Sequence, residues 1–528
     1  MPSKVYSAAI VGLDARPVEV EIDVSHGLRS FSIVGLPDKA VEESKERIES
    51  AIKTSKLLSP YQRPFRILVN LAPADLKKEG SLYDLPIALA FLLSSKQTYF
   101  NPEDKIFLGE LSLDGTLRPV KGALSFALLA KNLGIKEIIL PKQNAREASL
   151  VSPVRNFNEK SNGKNFNEKI SNEVKVIGVE SLTEALAYLE NRKPIEPFSS
   201  EYLFENTNEN SDNSVDISWI KGQEYAKRAL EISAAGAHNL FFFGPPGGGK
   251  SLLAKSLPSI LPPLTFAESL EVTKIYSVAG LLRENQILVN ARPFRSPHHT
   301  LSEAALIGGG NPPRPGEMTL AHRGILFLDE FPEFHRDALE SLRQPIEDGK
   351  ITVSRAKNTL TFPSRFTLIA ASNPCPCGYL NSPENPCSCT SSQVAMYKRK
   401  LSGPLMDRID IFIEVPAVKY EKLAAEVSQN QGQVLRNKIA KAREIQKERF
   451  KNDKILVNSE MNIPEIKKYC QHDFESQNLL KRYVDSGKLS ARGYHRVLKV
   501  ARTIADLADS ENIQKEHVAE ALMYRLKE

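Results

Sequence analysis

The chain has 528 residues, of which 41% are hydrophobic and 25% are charged, and its formal net charge is +6. This length exceeds what one ordinary core requires, so we expect several domains. The longest uncharged apolar stretch, residues 85–95, is too short to span a bilayer. The amino terminus lacks a basic flank followed by a cleavage site, and the five cysteines do not resemble a secreted disulfide framework. We therefore expect a cytoplasmic protein with no membrane partner.

Residues 1–190 alternate strand-like runs, such as VEVEI and FRILVNLA, with helical runs such as DLPIALAFLLSS. Within this region, residues 155–172 repeat the motif NFNEK loosely, which predicts a solvated surface insertion. Residues 191–213 are rich in Pro, Ser, Asn and acidic residues, as is typical of a linker. The sequence thus predicts an α/β domain over 1–190, followed by a linker.

Residues 214–415 continue the alternating α/β pattern and contain a glycine-rich loop. An apolar run over 239–243 leads into GPPGGGKS, which comprises Gly244, Pro245, Pro246, Gly247, Gly248, Gly249, Lys250 and Ser251. A strand, a glycine-rich turn and a helix start place backbone N–H groups around phosphate oxygens. Lys250 would then reach the β and γ phosphates, while the Ser251 hydroxyl would bind Mg²⁺. The loop therefore predicts binding of a nucleoside triphosphate, with ATP and Mg²⁺ as cofactors.

Two further apolar runs end in polar residues. Residues 324–330 end in Asp329 and Glu330. We expect Asp329 to hold Mg²⁺ through water and Glu330 to orient and deprotonate the attacking water. Residues 366–373 end in Asn373, whose amide would bond the γ-phosphate or that water; the alternative is a turn residue that opens the following loop.

These motifs, GPPGGGKS, ILFLDE and ASN, together with LSGPLMDRIDIFIEV, resemble the AAA+ superfamily in the branch of magnesium chelatase and MCM-type helicases. The resemblance implies that Arg408 acts as an arginine finger across a subunit interface. The alternative for Arg408 is a salt bridge with Asp407 or Asp410.

The same resemblance implies that the segment containing Ile220 and Gly222 packs on the adenine. From residue 416 to 528 the pattern becomes helical, which predicts a lid domain. The resemblance implies that Arg492 or Arg496, on one helix of this lid, is the second arginine sensor, and the sequence does not separate the two.

Residues 348–362 contain two alternating runs, ITVS and TLTF, with Arg355 and Lys357 near the apex between them. This pattern predicts a β-hairpin with a cationic tip. In MCM-like AAA+ proteins the hairpin before the sensor strand projects into the central pore and grips nucleic acid, so the resemblance assigns Arg355 and Lys357 to DNA. The alternative is an exposed charged turn. Arg295, His298 and His299, at the place of the family's helix-2 insertion, would add pore contacts.

Four cysteines, Cys375, Cys377, Cys387 and Cys389, lie in one loop rich in proline and glycine. Four thiolates on a short loop could enclose Zn²⁺ tetrahedrally and brace the segment after Asn373. Each pair is separated by one residue instead of the usual two, so free thiols or an oxidation-prone pair are the alternative.

Residues 69–95 and 105–142 closely resemble the proteolytic domain of Lon, which implies a ribosomal S5 domain 2-like fold for residues 1–190. A gapless alignment puts Leu82 and Leu124 at the positions of the catalytic serine and lysine. Leucine can neither attack a carbonyl nor accept a proton. Ser81 and Lys121 miss these positions by one and three residues, so we expect a domain without proteolytic activity that supports assembly or contacts a partner or DNA.

Across almost its entire length the sequence is identified as a member of the ComM/YifB family. The resemblance implies a Lon-like domain followed by an AAA+ core and a helical lid. It also implies a homo-hexameric, ATP-driven DNA motor with branch migration and helicase activity in recombination during natural transformation. The alternatives are a magnesium chelatase ATPase, which lacks the Lon-like domain, and an ATP-dependent protease or chaperone, which the missing dyad opposes.

Overall fold

The computed structural model describes residues 2–151, 174–199, 215–283, 286–311, 313–355, 358–380, 385–401, 403–417, 431–453 and 455–525. The chain divides into two compact units: Met1–Asn208 with Ser269–Val289, and Glu209–Glu268 with Asn290–Glu528. The predicted insertion at 155–172 and most of the predicted linker lie outside the described residues. Residues 269–289, which the sequence assigned to the ATPase core, fold with the first unit.

The described strands are, in chain order, β1 Ser3–Val11, β2 Asp14–His26, β3 Ser30–Val34, β4 Phe65–Ala72, β5 Lys105–Phe107, β6 Glu110–Leu111, β7 Leu117–Arg118, β8 Glu137–Pro141, β9 Lys175–Val179, β10 Leu240–Phe243, β11 Phe294–Arg295, β12 Gly308–Gly309, β13 Arg314–Pro315, β14 Ile325–Leu328, β15 Lys350–Arg355, β16 Asn358–Pro363, β17 Thr367–Ser372 and β18 Ile411–Glu414.

The described α-helices are Lys39–Glu42, Ser44–Thr54, Asp84–Ser94, Ala123–Leu133, Lys142–Ala148, Leu182–Leu189, Glu224–Gly236, Lys250–Ser256, Phe266–Ala279, Glu303–Ile307, Glu317–Leu320, Arg336–Ser341, Arg343–Asp348, Ser391–Lys400, Gly403–Met406, Gln431–Arg449, Ile463–Tyr469, Phe474–Asp485, Ala491–Leu507 and Lys515–Met523. None of the described helices has both the length and the apolar composition needed to cross a membrane.

The first unit contains a four-stranded sheet in the order β1-β2-β4-β3, with β3 parallel to β4 and the other pairs antiparallel. Every second side chain of β4 is buried, as expected for a sheet with one face toward the core. The helix Asp84–Ser94 packs against this sheet and is buried over nearly its whole length. That burial explains why its sequence is apolar all round instead of on one stripe.

A second sheet of the first unit joins β5, β8 and β9 in parallel. The segment 269–289 packs within the same unit. Its Val272 and Ile275 are buried, and the Ser277 hydroxyl donates to the carboxylate of Glu147. Burial raises the pKa of Glu147 above its ordinary value, although Ser277 and the backbone N–H of Leu124 oppose the shift.

The second unit is built on a five-stranded parallel sheet in the order β11-β14-β17-β10-β18. All residues of β14 and β17 are buried, because helices cover both faces of such a sheet. This arrangement confirms the predicted α/β class with a parallel sheet. Because all five strands are parallel, their carboxyl ends lie on the same side of the sheet, which is where open parallel sheets bind their ligands.

The predicted hairpin is present: β15 pairs with β16 in antiparallel register, with Arg355 opposite Asn358. Ile351 and Phe362 face each other near its base and are buried, so this end of the hairpin is anchored in the core. The described residues after 430 form helices and turns, with one isolated β-bridge between His472 and Ile513, in agreement with the helical pattern of the sequence.

Candidate nucleotide-binding site

The glycine-rich loop follows β10 and ends at the first turn of the helix Lys250–Ser256. Gly244, Gly247 and Gly249 all have positive φ values, of 155°, 77° and 86°. Side chains are strongly disfavoured in this conformation, which explains the need for glycine. A Cβ atom at position 244 would also collide with the backbone carbonyl of Val415. The loop therefore keeps its open curve close to the end of β18.

Lys250 lies inside this curve and is 8% exposed. Its ammonium donates to the carbonyls of Gly244 at 2.7 Å and Pro245 at 2.8 Å, and to Oδ1 of Asn373 at 3.1 Å. Burial lowers the pKa of Lys250, and the nearby Asp329 opposes that shift. These contacts hold a cation at the mouth of the loop, where phosphate oxygens would bind.

Ser251 and Asp329 provide the two oxygens predicted to hold Mg²⁺. The Ser251 hydroxyl donates to Oδ2 of Asp329 at 2.6 Å. A hydroxyl and a carboxylate in contact at the end of a buried strand fit this hard cation, which prefers oxygen ligands and binds few protein groups. The structure thus brings Lys250, Ser251, Asp329 and Asn373 together at the carboxyl ends of β10, β14 and β17.

Glu330 directly follows Asp329, and its side chain is 57% exposed. Its backbone is left-handed, with φ 50° and ψ 43°. Its carboxylate lies 3.3 Å from Nδ1 of His299. From the sequence we expected His299 to line a pore, and the contact between His299 and Glu330 differs from that expectation. The two residues are far apart in the sequence, so no local pattern predicts that they meet.

The segment predicted to contact adenine also borders the loop. Ile220 is buried, Gly222 has a φ of 67°, and the next residue, Gln223, donates to the carbonyls of Gly248 at 3.3 Å and Pro416 at 2.7 Å. Gln223 was not among the predicted site residues. Its side chain links the loop to the chain that follows β18.

Arg408 lies near the amino ends of the strands, opposite the phosphate loop, because it precedes β18. Its guanidinium contacts Glu347 at 2.8 Å and the carbonyl of Pro404 at 2.6 Å, and its Nε has no hydrogen-bond partner. The pairing with Asp407 or Asp410 considered from the sequence is therefore wrong, because the carboxylate that Arg408 contacts belongs to Glu347. Arg408 is not part of the cluster around its own Lys250.

Arg496 also lies near the amino ends of the strands. It forms an ion pair with Asp410, the residue that precedes β18. Arg492 is exposed and lies one helical turn earlier. The structure distinguishes the two candidates by their surroundings, and it brings neither to the phosphate loop of the same chain.

The residues predicted to bind DNA differ in what the structure describes. Arg355 ends β15 beside the tip of the hairpin, and Lys357 lies outside the described residues. Arg295 is held in a two-pronged ion pair with Glu317, with N–O distances of 2.6 and 2.7 Å. The hairpin remains a candidate nucleic-acid contact, whereas Arg295 is already occupied.

The four clustered cysteines converge. Their sulfur atoms all lie within 4.8 Å of one another, and all four cysteines are free thiols. The first of them, Cys375, comes two residues after Asn373. The fifth, Cys470, is buried elsewhere in the unit.

In the first unit, the residues at and near the positions that align with the Lon catalytic serine and lysine have other contacts. The Ser81 hydroxyl donates to Glu110, the side chain of Lys121 lies against Gly280, and Leu124 is fully buried. Leu82 packs in the core. The partner of Ser81 is thus a carboxylate and not Lys121, so the contacts described for these two residues form no serine–lysine pair. The Lon-like origin of this unit stays a prediction.

Comparisons with known proteins give the following likenesses. Family models described as magnesium chelatase, subunit ChlI, match residues 216–423, 20–144 and, for its C-terminal part, 429–525. The chain is 41% identical to competence protein ComM of Haemophilus influenzae over 99% of this chain and 97% of that protein. It is 40% identical to YifB of Escherichia coli, with 99% and 97% covered. It is 25% identical to DNA replication licensing factor Mcm2 of Drosophila melanogaster over 37% of this chain and 20% of that protein.

Proposed function

Because this chain belongs to the ComM/YifB family, we propose that it is an ATP-driven motor that moves on branched or single-stranded DNA. Membership of this magnesium chelatase-like AAA+ family itself implies ATP and Mg²⁺. The finer activity rests on one observation above all: the β-hairpin of β15 and β16 directly precedes β17, the strand that leads to Asn373. The sequence where the two hairpin strands connect contains the basic residues Arg355 and Lys357.

The chemistry follows from the cluster at the carboxyl ends of the strands. Lys250 neutralises phosphate charge, and Asn373, which contacts Lys250, orients the terminal phosphate or the attacking water. Mg²⁺, held by Ser251 and Asp329, would draw charge from the phosphate oxygens. Glu330, exposed beside this cluster, accepts the proton of the attacking water. Together these residues support hydrolysis of the terminal phosphate.

Arg408 supports a site shared between neighbouring chains. It lies near the amino ends of the strands, opposite its own phosphate loop, so it would act only on nucleotide held by another protomer. A guanidinium from a neighbour neutralises charge in the transition state and couples hydrolysis to assembly. We accordingly propose a homo-hexameric ring in which Arg408 is the finger and Arg496 or Arg492 the second sensor.

The hairpin would convert hydrolysis into movement. Its buried base fixes one end, and the sequence has two basic residues, Arg355 and Lys357, where its two strands connect. Cations contact phosphates without reading bases, so binding would be independent of sequence. By likeness to the competence protein, we propose branch migration and helicase activity in DNA recombination during natural transformation.

The matching chelatase family models favour one rival, insertion of Mg²⁺ into a porphyrin by an ATP-driven complex. ATP turnover that rises with porphyrin and not with DNA would support this rival over the DNA motor.

The deciding experiment measures ATP turnover with no DNA, with single-stranded DNA and with a four-way junction. We expect DNA to stimulate the wild type and to have little effect on the double variant Arg355→Ala/Lys357→Ala. Lys350→Ala is the matched control, because Lys350 is an exposed cation of the same hairpin at the end away from the tip. Equal stimulation of the double variant and the wild type would remove the hairpin from the mechanism.

A further inference from the structure

The loop between Asn373 and the helix Ser391–Lys400 brings four thiols to one point. The sulfur of Cys375 lies 3.4 Å from that of Cys377 and 3.7 Å from that of Cys387, and the sulfurs of Cys377 and Cys387 are 3.5 Å apart. Cys389 completes the group, with its sulfur accepting a hydrogen bond from the backbone N–H of Cys377 at 3.4 Å. Three of the four sulfurs therefore form a nearly equilateral triangle, with the fourth close by.

These distances match a single tetrahedral ion. With Zn–S bonds of about 2.3 Å, tetrahedral geometry puts neighbouring sulfurs about 3.8 Å apart. Two disulfides would explain the group less well, since each needs only its own pair of sulfurs at about 2.05 Å. Two separate disulfides would not require three sulfurs to lie close to one another, whereas one metal ion bound by all of them would.

We propose that Cys375, Cys377, Cys387 and Cys389 bind one structural Zn²⁺ ion as thiolates. On binding, the four thiols release their protons to solvent, and no electron is transferred. Four protein ligands leave no open position for substrate, so the ion stabilises the fold and takes no direct part in hydrolysis. This site is independent of whether the chain moves on DNA.

The place of the ion in the fold gives it a role at the nucleotide site. Gly378, next to Cys377, is buried against the phosphate loop: a Cβ at this position would lie 2.6 Å from Cγ and Cδ of Pro246. The first cysteine of the group, Cys375, follows Asn373 by two residues, and the Asn373 side chain contacts Lys250 at 3.1 Å. A fixed loop therefore holds both Asn373 and Pro246 in position.

The ion would also fix the helix that follows. Thr390, directly after Cys389, caps the helix Ser391–Lys400 in a reciprocal capping box with Gln393. Tyr397 of this helix is buried. The four cysteines are thus positioning residues that join the end of β17 to the start of this helix.

The test begins with the full chain, purified without chelator and analysed for metal by mass spectrometry. We expect one zinc ion per chain in the wild type, and loss of that ion in Cys377→Ser and in Cys387→Ser. Cys470→Ser is the matched control and should keep its zinc, because Cys470 is buried away from the group. Wild-type protein without bound zinc, or with disulfides among these four cysteines, would overturn the proposal.

A second measurement does not depend on whether the variants fold. Wild-type protein refilled with Co²⁺ should show the absorption of a tetrahedral cobalt tetrathiolate, and its four thiols should resist alkylation until the metal is removed. Removal should also weaken nucleotide binding. Thiols alkylated equally fast with and without metal would contradict the site.

Discussion

At the scale of single residues, Glu330 is unusual in having a left-handed backbone although it is not glycine. This conformation costs about 1–3 kcal/mol and persists only where the surrounding structure enforces it. Here it turns the chain just after Asp329, so that one carboxylate faces Ser251 while the next is exposed beside His299. Two adjacent acids thereby lie in different environments.

We expect Glu330→Gln to bind ATP normally and to lower kcat about 10²–10⁴-fold, the usual contribution of a general base. Lys250→Ala should instead lose nucleotide binding, because its ammonium is the buried cation of the loop. Steady-state ATP turnover and titration with a fluorescent nucleotide measure both effects. Glu333→Gln is the control, since Glu333 is an acid three residues further along that pairs with Lys400. Undiminished turnover in Glu330→Gln would exclude it as the base.

At the scale of secondary-structure elements, Asp410 joins three segments of the second unit. It is buried just before β18 and forms an ion pair with Arg496 of the helix Ala491–Leu507. Its carboxylate also accepts a hydrogen bond from the backbone N–H of Asn239 at 3.0 Å. Nδ1 of His238 lies 3.5 Å from its carboxylate. Burial alone would raise the pKa of Asp410, but Arg496 and His238 outweigh burial and hold the pKa below its ordinary value.

Asp410→Asn should lower the free energy of unfolding by about 3–5 kcal/mol at neutral pH, because it leaves Arg496, whose side chain is 18% exposed, without its charge partner. Since folding lowers the pKa of Asp410, its contribution is complete above the unfolded value of about 3.9 and is lost as the pH falls below it. The gap between variant and wild type should therefore shrink in acid. Urea unfolding at neutral and acidic pH measures it.

Asp509→Asn is the control for that comparison. Asp509 forms an exposed pair with Lys441, and such pairs contribute about 0–1 kcal/mol. A loss in Asp410→Asn no larger than in Asp509→Asn would contradict the inferred role of the buried pair.

The sequence predicted the elements of the nucleotide site because each of its signals is local. An apolar run that ends in Gly244, Asp329 or Asn373 specifies a buried strand with a polar residue at its carboxyl end, and neighbouring parallel strands bring those ends together. Long-range partners have no such local signal. The contacts of Arg408 with Glu347, of His299 with Glu330 and the packing of residues 269–289 in the first unit depend on tertiary structure, so the sequence pattern missed them.

At the scale of the whole molecule, the opposite locations of Lys250 and Arg408 in the sheet predict that one chain cannot hydrolyse ATP efficiently alone. Arg408→Ala should lower kcat about 10³-fold or more, as expected for an arginine finger. Mixed with Glu330→Gln, it should regain activity, because one variant supplies the intact base and the other the intact finger. ATP turnover of the mixture, compared with each variant alone, measures this effect.

The control mixture combines Arg408→Ala with the double variant Arg408→Ala/Glu330→Gln, which has no finger to donate and should stay inactive. Equal activity of the two mixtures would argue against a site shared between protomers.

The grouping of residues 269–289 with the first unit has a consequence for how the chain can be divided. The polypeptide enters that unit, leaves it, returns and leaves again, so cutting the gene once near codon 210 does not separate two self-sufficient products. The shorter product would lack Ser277, the hydroxyl partner of buried Glu147, and the longer one would expose Val272 and Ile275 to water. A single cut at that point would therefore leave each product without packing partners that the uncut chain supplies.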